Sequence, residues 1–123
     1  MTTHDLPTGG TLEISVERID GVVVLSVKGE LDMVSTPYLT EAIDVVLAEA
    51  SPSAVIVDLT DVPFLASIGM TVLVETHRRV SEFSDFAVVA AGPTTARPLT
   101  LMGLNETFSM YTDRDAALAA VRP

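Results

Sequence analysis

Three short apolar runs rich in β-branched residues punctuate the chain, at residues 22–27 (VVVLSV), 54–59 (AVIVDL) and 86–91 (FAVVAA). Between them lie longer stretches whose apolar residues recur at spacings of three and four. A strand that is apolar on both faces must be covered on both faces, and parallel strands joined by helical crossovers meet that demand. Leu12, Ile14 and Val16 alternate with polar residues as a half-buried strand does, and Asp20-Gly21 then signals a hairpin turn. Thr36-Pro37 opens a helix with Thr36 as its cap, striped by Leu39, Ala42, Ile43, Val46, Leu47 and Ala50. Met70, Leu73, Val74, His77 and Val80 stripe a second helix. Thr95 caps a short third one, residues 107–111 form a short strand, and Thr112-x-x-Asp115 reads as a capping box opening a terminal helix that ends near Arg122. The expectation is one α/β domain over residues 11–123, behind a flexible leader at residues 1–10. Its mixed sheet has four to five strands, the first hairpin antiparallel and the rest mainly parallel, with about four helices.

Composition removes several function classes. The chain has 123 residues, 48% of them hydrophobic, enough for one packed core. It has no Cys and two His, which leaves no thiolate site and too few imidazoles for a zinc centre. The formal charge is −10, and nucleic acid and anionic membranes both select for basic patches. No apolar run reaches the ~18–20 residues of a membrane helix, and residues 1–10 hold no apolar signal core, so a cytoplasmic protein is expected. Glycine-rich nucleotide loops are missing from the sequence, and no cofactor is expected. The acidity is uneven: residues 1–61 carry two cations against eleven carboxylates, and no Lys or Arg lies between Lys28 and Arg78. Such a surface either serves solubility or docks a basic protein.

Loops that follow the carboxyl ends of parallel strands gather on one rim of the sheet. Two segments should meet there, Gly29-Glu30-Leu31-Asp32 and Phe64-Leu65-Ala66-Ser67-Ile68-Gly69. Ser67, at the start of the second helix, is placed to cap it. The same position suits a phosphate, because a helix N-terminus offers free N–H groups and a partial positive charge. A serine hydrolase is the competing reading, but the context Leu65-Ala66-Ser67-Ile68-Gly69 lacks the first glycine of a nucleophile elbow. His77, ten residues on, lies ~15 Å away along a helix, too far to serve as base. His77 itself reads as a core-edge residue and His4 as inert. Glu30 and Asp32 alternate in direction if the strand persists, which argues against a shared acid–base or magnesium site. Asp58 and Asp61 read as turn carboxylates, and Met70, Met102 and Met110 as core filler.

These residues also resemble a known family. Gly29-Glu30-Leu31-Asp32 is similar to the G-E-L-D box of STAS domains of the anti-sigma factor antagonist type. Residues 58–69 (DLTDVPFLASIG) resemble the family's stretch from third strand to second helix, which usually ends D-S-[ST]-G. Met102-Gly103-Leu104 followed by Phe108 resembles its late G-L-x-x-x-F segment. The resemblance implies a non-enzymatic regulator that binds a serine kinase doubling as an anti-sigma factor, and so frees a sigma factor. By position it implies Ser67 as the residue the kinase phosphorylates to end the complex, with a serine phosphatase restoring it. It implies Asp32 beside that serine as a support for kinase binding. Glu30, Asp32, Ala66, Ser67, Ile68, Gly69 and Thr71 are then the partner-binding residues, facing a basic docking surface. Ala66 stands where the family usually has Asp, and Ile68 where it has Ser or Thr, so one hydroxyl remains. The alternative within the family is a scaffold or sensor module of a multi-protein stress complex, indifferent to Ser67.

Overall fold

The computed structural model describes residues 2–5, 12–49 and 51–121. Along the chain run β1 (Thr2–Asp5), β2 (Glu13–Ile19), β3 (Val22–Lys28), α1 (Thr36–Glu49), β4 (Ala54–Asp61), α2 (Ser67–Val80), β5 (Asp85–Val89), α3 (Ala96–Leu101), β6 (Ser109–Tyr111) and α4 (Arg114–Val121). A single 3-10 turn, Leu104–Glu106, links α3 to β6. The strands form one sheet in the order β1-β2-β3-β4-β5-β6; β1, β2 and β3 pair antiparallel, and β3 to β6 pair parallel. The α/β architecture with its antiparallel hairpin and four helices is the one the sequence implied.

One strand is additional. β1 lies inside the stretch read as a flexible leader, and it pairs with β2 from Thr2 opposite Arg18 to Asp5 opposite Ser15. Its sequence, TTHD, has no apolar alternation to announce it. What holds it is the row of backbone donors and acceptors that β2 would otherwise expose as a sheet edge. Residues 6–11, with Gly9-Gly10, Ala50 and Arg122 lie outside the described residues.

The β2–β3 turn follows from its two residues. Asp20 and Gly21 hold φ of 50° and 85°, the two positive angles a primed hairpin turn requires. This sets Ile19 opposite Val22 and fixes the register of the whole hairpin. Gly21→Ala should cost about 1–2 kcal/mol, read as a lower urea midpoint, because a Cβ at that angle is strained and would sit 3.3 Å from the Ser53 hydroxyl.

The double-sided strands are covered as expected. On one face Val23, Leu25, Val55, Val57 and Val88 pack under Leu39, Ile43 and Val46 of α1, Leu73 and Val80 of α2, and Leu99 of α3. On the other, Val22, Val24, Ala54, Ile56, Ala87 and Val89 meet Ala117 and Val121 of α4. The apolar layers fix β3 and β4 firmly in the sheet, and thereby the position of everything that leaves their carboxyl ends.

Candidate functional site

The parallel β3–β4 ladder does not stop where the strands do. Beyond an irregularity between Ser26 and Lys28, Gly29 donates its N–H to Asp61 O at 3.1 Å and Leu31 to Phe64 O at 2.9 Å. Ala66 then donates to Leu31 O at 2.8 Å, and Leu31 bridges Leu65 in parallel fashion. The two segments singled out in the sequence are thus stitched by backbone bonds. Asp32 and Ser67 each lie one residue beyond the Leu31–Ala66 bond. The approach is close: a Cβ on Gly69 would fall 2.8 Å from Leu65 Cδ1, whose tip would have to shift, and 3.3 Å from Leu31 Cβ.

Asp32 shapes its own loop. Its Oδ1 accepts N–H bonds from Val34 at 3.0 Å and Ser35 at 2.9 Å, while the Ser35 hydroxyl accepts the Asp32 N–H at 3.0 Å. This reciprocal pairing is the geometry of a capping box. The same hydroxyl has one proton and two acceptors within reach, Glu30 O at 2.6 Å and Asp32 Oδ1 at 3.0 Å. The N–H of Ser35, then its hydroxyl, hold the Asp32 carboxyl below the usual carboxylate range. A depressed folded-state pKa contributes stability above the unfolded value of 3.8, and that contribution is lost as pH falls through the folded value. Asp32→Ala should therefore lower the thermal midpoint at neutral pH, and the gap to the wild type should close on acidification below the unfolded value. A gap that stays constant into acid would contradict the assignment.

Ser67 does not cap α2. The boundary residue is Ala66, extended at φ −78° and ψ 163°, which has no side-chain oxygen to offer. Its N–H is committed to Leu31 and its C=O takes the N–H groups of Gly69 and Met70, so the helix begins at Ser67 itself. Ser67 is exposed, and its hydroxyl makes no hydrogen bond among the described residues. The first turn of α2 is left without a side-chain cap, a free anion-tolerant end. Glu30, Ile68 and Thr71 are exposed, Ala66 and Asp32 are half-buried, and Gly69 is buried. The Thr71 hydroxyl turns back onto its own helix, donating to Ser67 O at 3.1 Å.

Other candidates fall away from this rim. His77, in the later turns of α2, packs at a tilt against Phe86 and Phe108, with ring centroids 5.9 and 6.2 Å away. Asp58 is turned onto Thr60, accepting its N–H at 2.9 Å. Asp32 is occupied by its turn, and the described residues hold no group of three His or carboxylates placed for a metal ion.

The profile of the STAS domain matches residues 13–117. This chain belongs to the STAS domain family. Its curated relatives include the anti-sigma-F factor antagonist RsfB of Mycobacterium tuberculosis strain H37Rv, 39% identical over 112 residues that cover 91% of each chain. Among solved structures, an anti-sigma factor antagonist from Mycobacterium paratuberculosis is 43% identical, covering 99% of this chain and 96% of that one, with a TM-score of 0.84. The Bacillus cell fate determinant SpoIIAA in its phosphorylated form aligns at a TM-score of 0.67 over 89% and 99% of the two chains, with 19% identity. At that identity the likeness speaks for the fold alone.

Within this STAS domain, two features of the rim were missed in the sequence. One is Ser35, which completes the Asp32 turn and whose signal was the Asp-x-x-Ser spacing. The other is apolar: Met33 is 77% exposed, Val34 80%, Phe64 51% and Ile68 40%. Each lies within three residues of the bonded pair Leu31–Ala66, Phe64 being bonded to Leu31 directly. Contiguous exposed apolar side chains are a general feature of surfaces that bind proteins, membranes or ligands. Among the described residues, no helix is long and apolar enough to cross a membrane.

Proposed function

We propose that the protein is an anti-sigma factor antagonist that binds an anti-sigma factor serine kinase through the Asp32–Ser67 rim and is released by phosphorylation of Ser67. One observation carries this reading. A lone exposed hydroxyl, free of hydrogen bonds, stands at an uncapped helix start beside the Asp32 turn and a collar of exposed apolar side chains. The relatives named above, as antagonists of anti-sigma factors, support it. Met33, Val34, Phe64 and Ile68 supply the apolar contact area. Glu30 and Asp32 supply charge complementary to a basic docking surface. Ser67 enters the interface as a neutral hydroxyl. Phosphorylation adds about −1.5 to −2 charges there, at a helix end that accepts them within this fold but inside a contact that does not.

The test mixes the protein with the kinase encoded in the same genome and ATP, followed by intact mass spectrometry and pull-down. One added phosphate on the wild type, none on Ser67→Ala, and dissociation of the phosphorylated form are expected. Equal binding by the wild type, Ser67→Ala and Ser67→Glu would instead favour a scaffold that ignores this residue.

A further inference from the structure

The chain has no Cys and no Trp, which leaves methionine as its most readily oxidised residue. Of the five methionines in the sequence, Met70 and Met110 pack against the main core cluster, whereas Met33 and Met102 are exposed. The two exposed thioethers differ in place. Met102 follows the last residue of α3, outside both segments of the Ser67 rim. Met33 stands inside the Asp32 turn, where the Asp32 carboxylate takes the N–H groups of Val34 and Ser35 and the Asp32 C=O takes the Thr36 N–H at 3.0 Å. These bonds fix the backbone around Met33 while its side chain stays out in solvent, so the core does not depend on that side chain.

We propose that Met33 is an oxidation site, and that its sulfoxide weakens docking of the partner protein without any change at Ser67. The inference rests on the reading that this rim docks a protein, and it adds a redox control of the same surface. In the step itself, the Met33 sulfur attacks one oxygen of hydrogen peroxide. An S–O bond forms, the O–O bond breaks, and the second oxygen leaves as water with both protons; the sulfur is oxidised and the peroxide reduced. A methionine sulfoxide reductase reverses the step, the oxygen leaving as water while a dithiol closes to a disulfide. The position is sensitive because of its company. A thioether is a flexible apolar contact, well suited to a protein-binding surface. Met33 shares the exposed collar with Val34, Phe64 and Ile68, whose side chains have no donor to offer a new oxygen. A sulfoxide carried into that contact must shed its water without a hydrogen bond in return. In the free protein the same oxygen stays in solvent, so folding does not register the change.

The experiment treats the full chain with hydrogen peroxide, removes the peroxide with catalase, and titrates the product into untreated kinase encoded in the same genome. Peptide mass spectrometry locates the added oxygen, which should reach Met33 and Met102 before Met70 and Met110. Under treatment limited to the two exposed thioethers, affinity should fall about tenfold, the equivalent of roughly 1.4 kcal/mol, with no change in thermal midpoint. Methionine sulfoxide reductases of both stereospecificities should restore it. Each variant is compared with its own untreated sample. Met33→Leu should lose nothing on treatment, and Met102→Leu should lose as much as the wild type. Ser67→Ala should also lose as much, which separates the oxidation effect from the phosphorylation switch. Full affinity in a sample oxidised at Met33, an equal loss in Met33→Leu, or a loss that tracks a fallen thermal midpoint would overturn this proposal alone. An untreated chain that does not bind the kinase would overturn the docking reading, and this inference with it.

Discussion

Ser67→Glu is expected to weaken binding to the cognate anti-sigma factor kinase by about a hundredfold, while Ser67→Ala stays within about threefold of the wild type. A hundredfold loss corresponds to roughly 2.7 kcal/mol, and a full phosphate should reach several hundredfold, about 3–4 kcal/mol. The direction follows from where the charge sits. The hydroxyl is exposed and has no internal hydrogen bond to lose, so its removal costs the free protein nothing. A carboxylate at the same place meets the N-terminal end of α2, where negative charge is favourable by about 0.3–1 kcal/mol. The folded state therefore tolerates the substitution, and the thermal midpoint of Ser67→Glu should match or slightly exceed that of the wild type. The penalty appears only when the charge is desolvated against a partner, amid the apolar collar of Met33, Val34, Phe64 and Ile68. Isothermal titration against the kinase, run beside thermal melts, separates the two effects. Wild-type affinity in Ser67→Glu would defeat the electrostatic switch, and a fall in its melting temperature would show that the residue acts through the fold instead.

The sequence carried element order well and helix boundaries poorly, for a common physical reason. Apolar periodicity is a property of a dozen residues at once, so VVVLSV, AVIVDL and FAVVAA read correctly as strands needing cover on both faces. A cap is decided by a single residue. Thr36, Ser67 and Thr112 each have a hydroxyl suited to capping, yet the backbone turns one residue away from the expected place. Ser35 completes the box before α1, Ala66 occupies the boundary of α2, and Asp113 accepts the Ala116 N–H at 2.8 Å before α4. These shifts matter at the site, because they leave the Ser67 hydroxyl exposed and the Thr36 hydroxyl buried, each without a hydrogen-bond partner among the described residues. The proximity of the Asp32 and Ser67 segments was legible through the topology of parallel strands. The bonds that stitch them, and the exposed apolar collar, were not, because both depend on the path of loops after the strands end. β1 was illegible altogether, since TTHD pairs through its backbone and leaves no trace in side-chain pattern.

Leu31→Ala should be the most damaging single change to the rim that spares every residue expected to touch the partner. Leu31 is 0% exposed and lies in the main core cluster. Truncating a buried leucine typically costs about 2–5 kcal/mol, from lost transfer energy and the cavity left behind. Against a total stability of roughly 5–15 kcal/mol for a domain of this kind, the variant should still fold, with its urea midpoint markedly lowered. The position couples stability to function because its backbone binds both Phe64 O and the Ala66 N–H. Its Cβ lies 3.3 Å from where a Cβ on Gly69 would stand, and the side chain beyond that Cβ, which alanine lacks, belongs to the core wedge it shares with Leu65 and with Leu73 of α2. Loosening that wedge frees the Asp32 turn and the start of α2 to move relative to one another. Partner affinity should then fall by more than the same core loss produces in Ile56→Ala, whose side chain is equally buried but packs under α4 on the opposite face. If both variants lose the same affinity at matched stability, the rim does not depend on the Leu31 stitch, and the link from core packing to docking geometry fails.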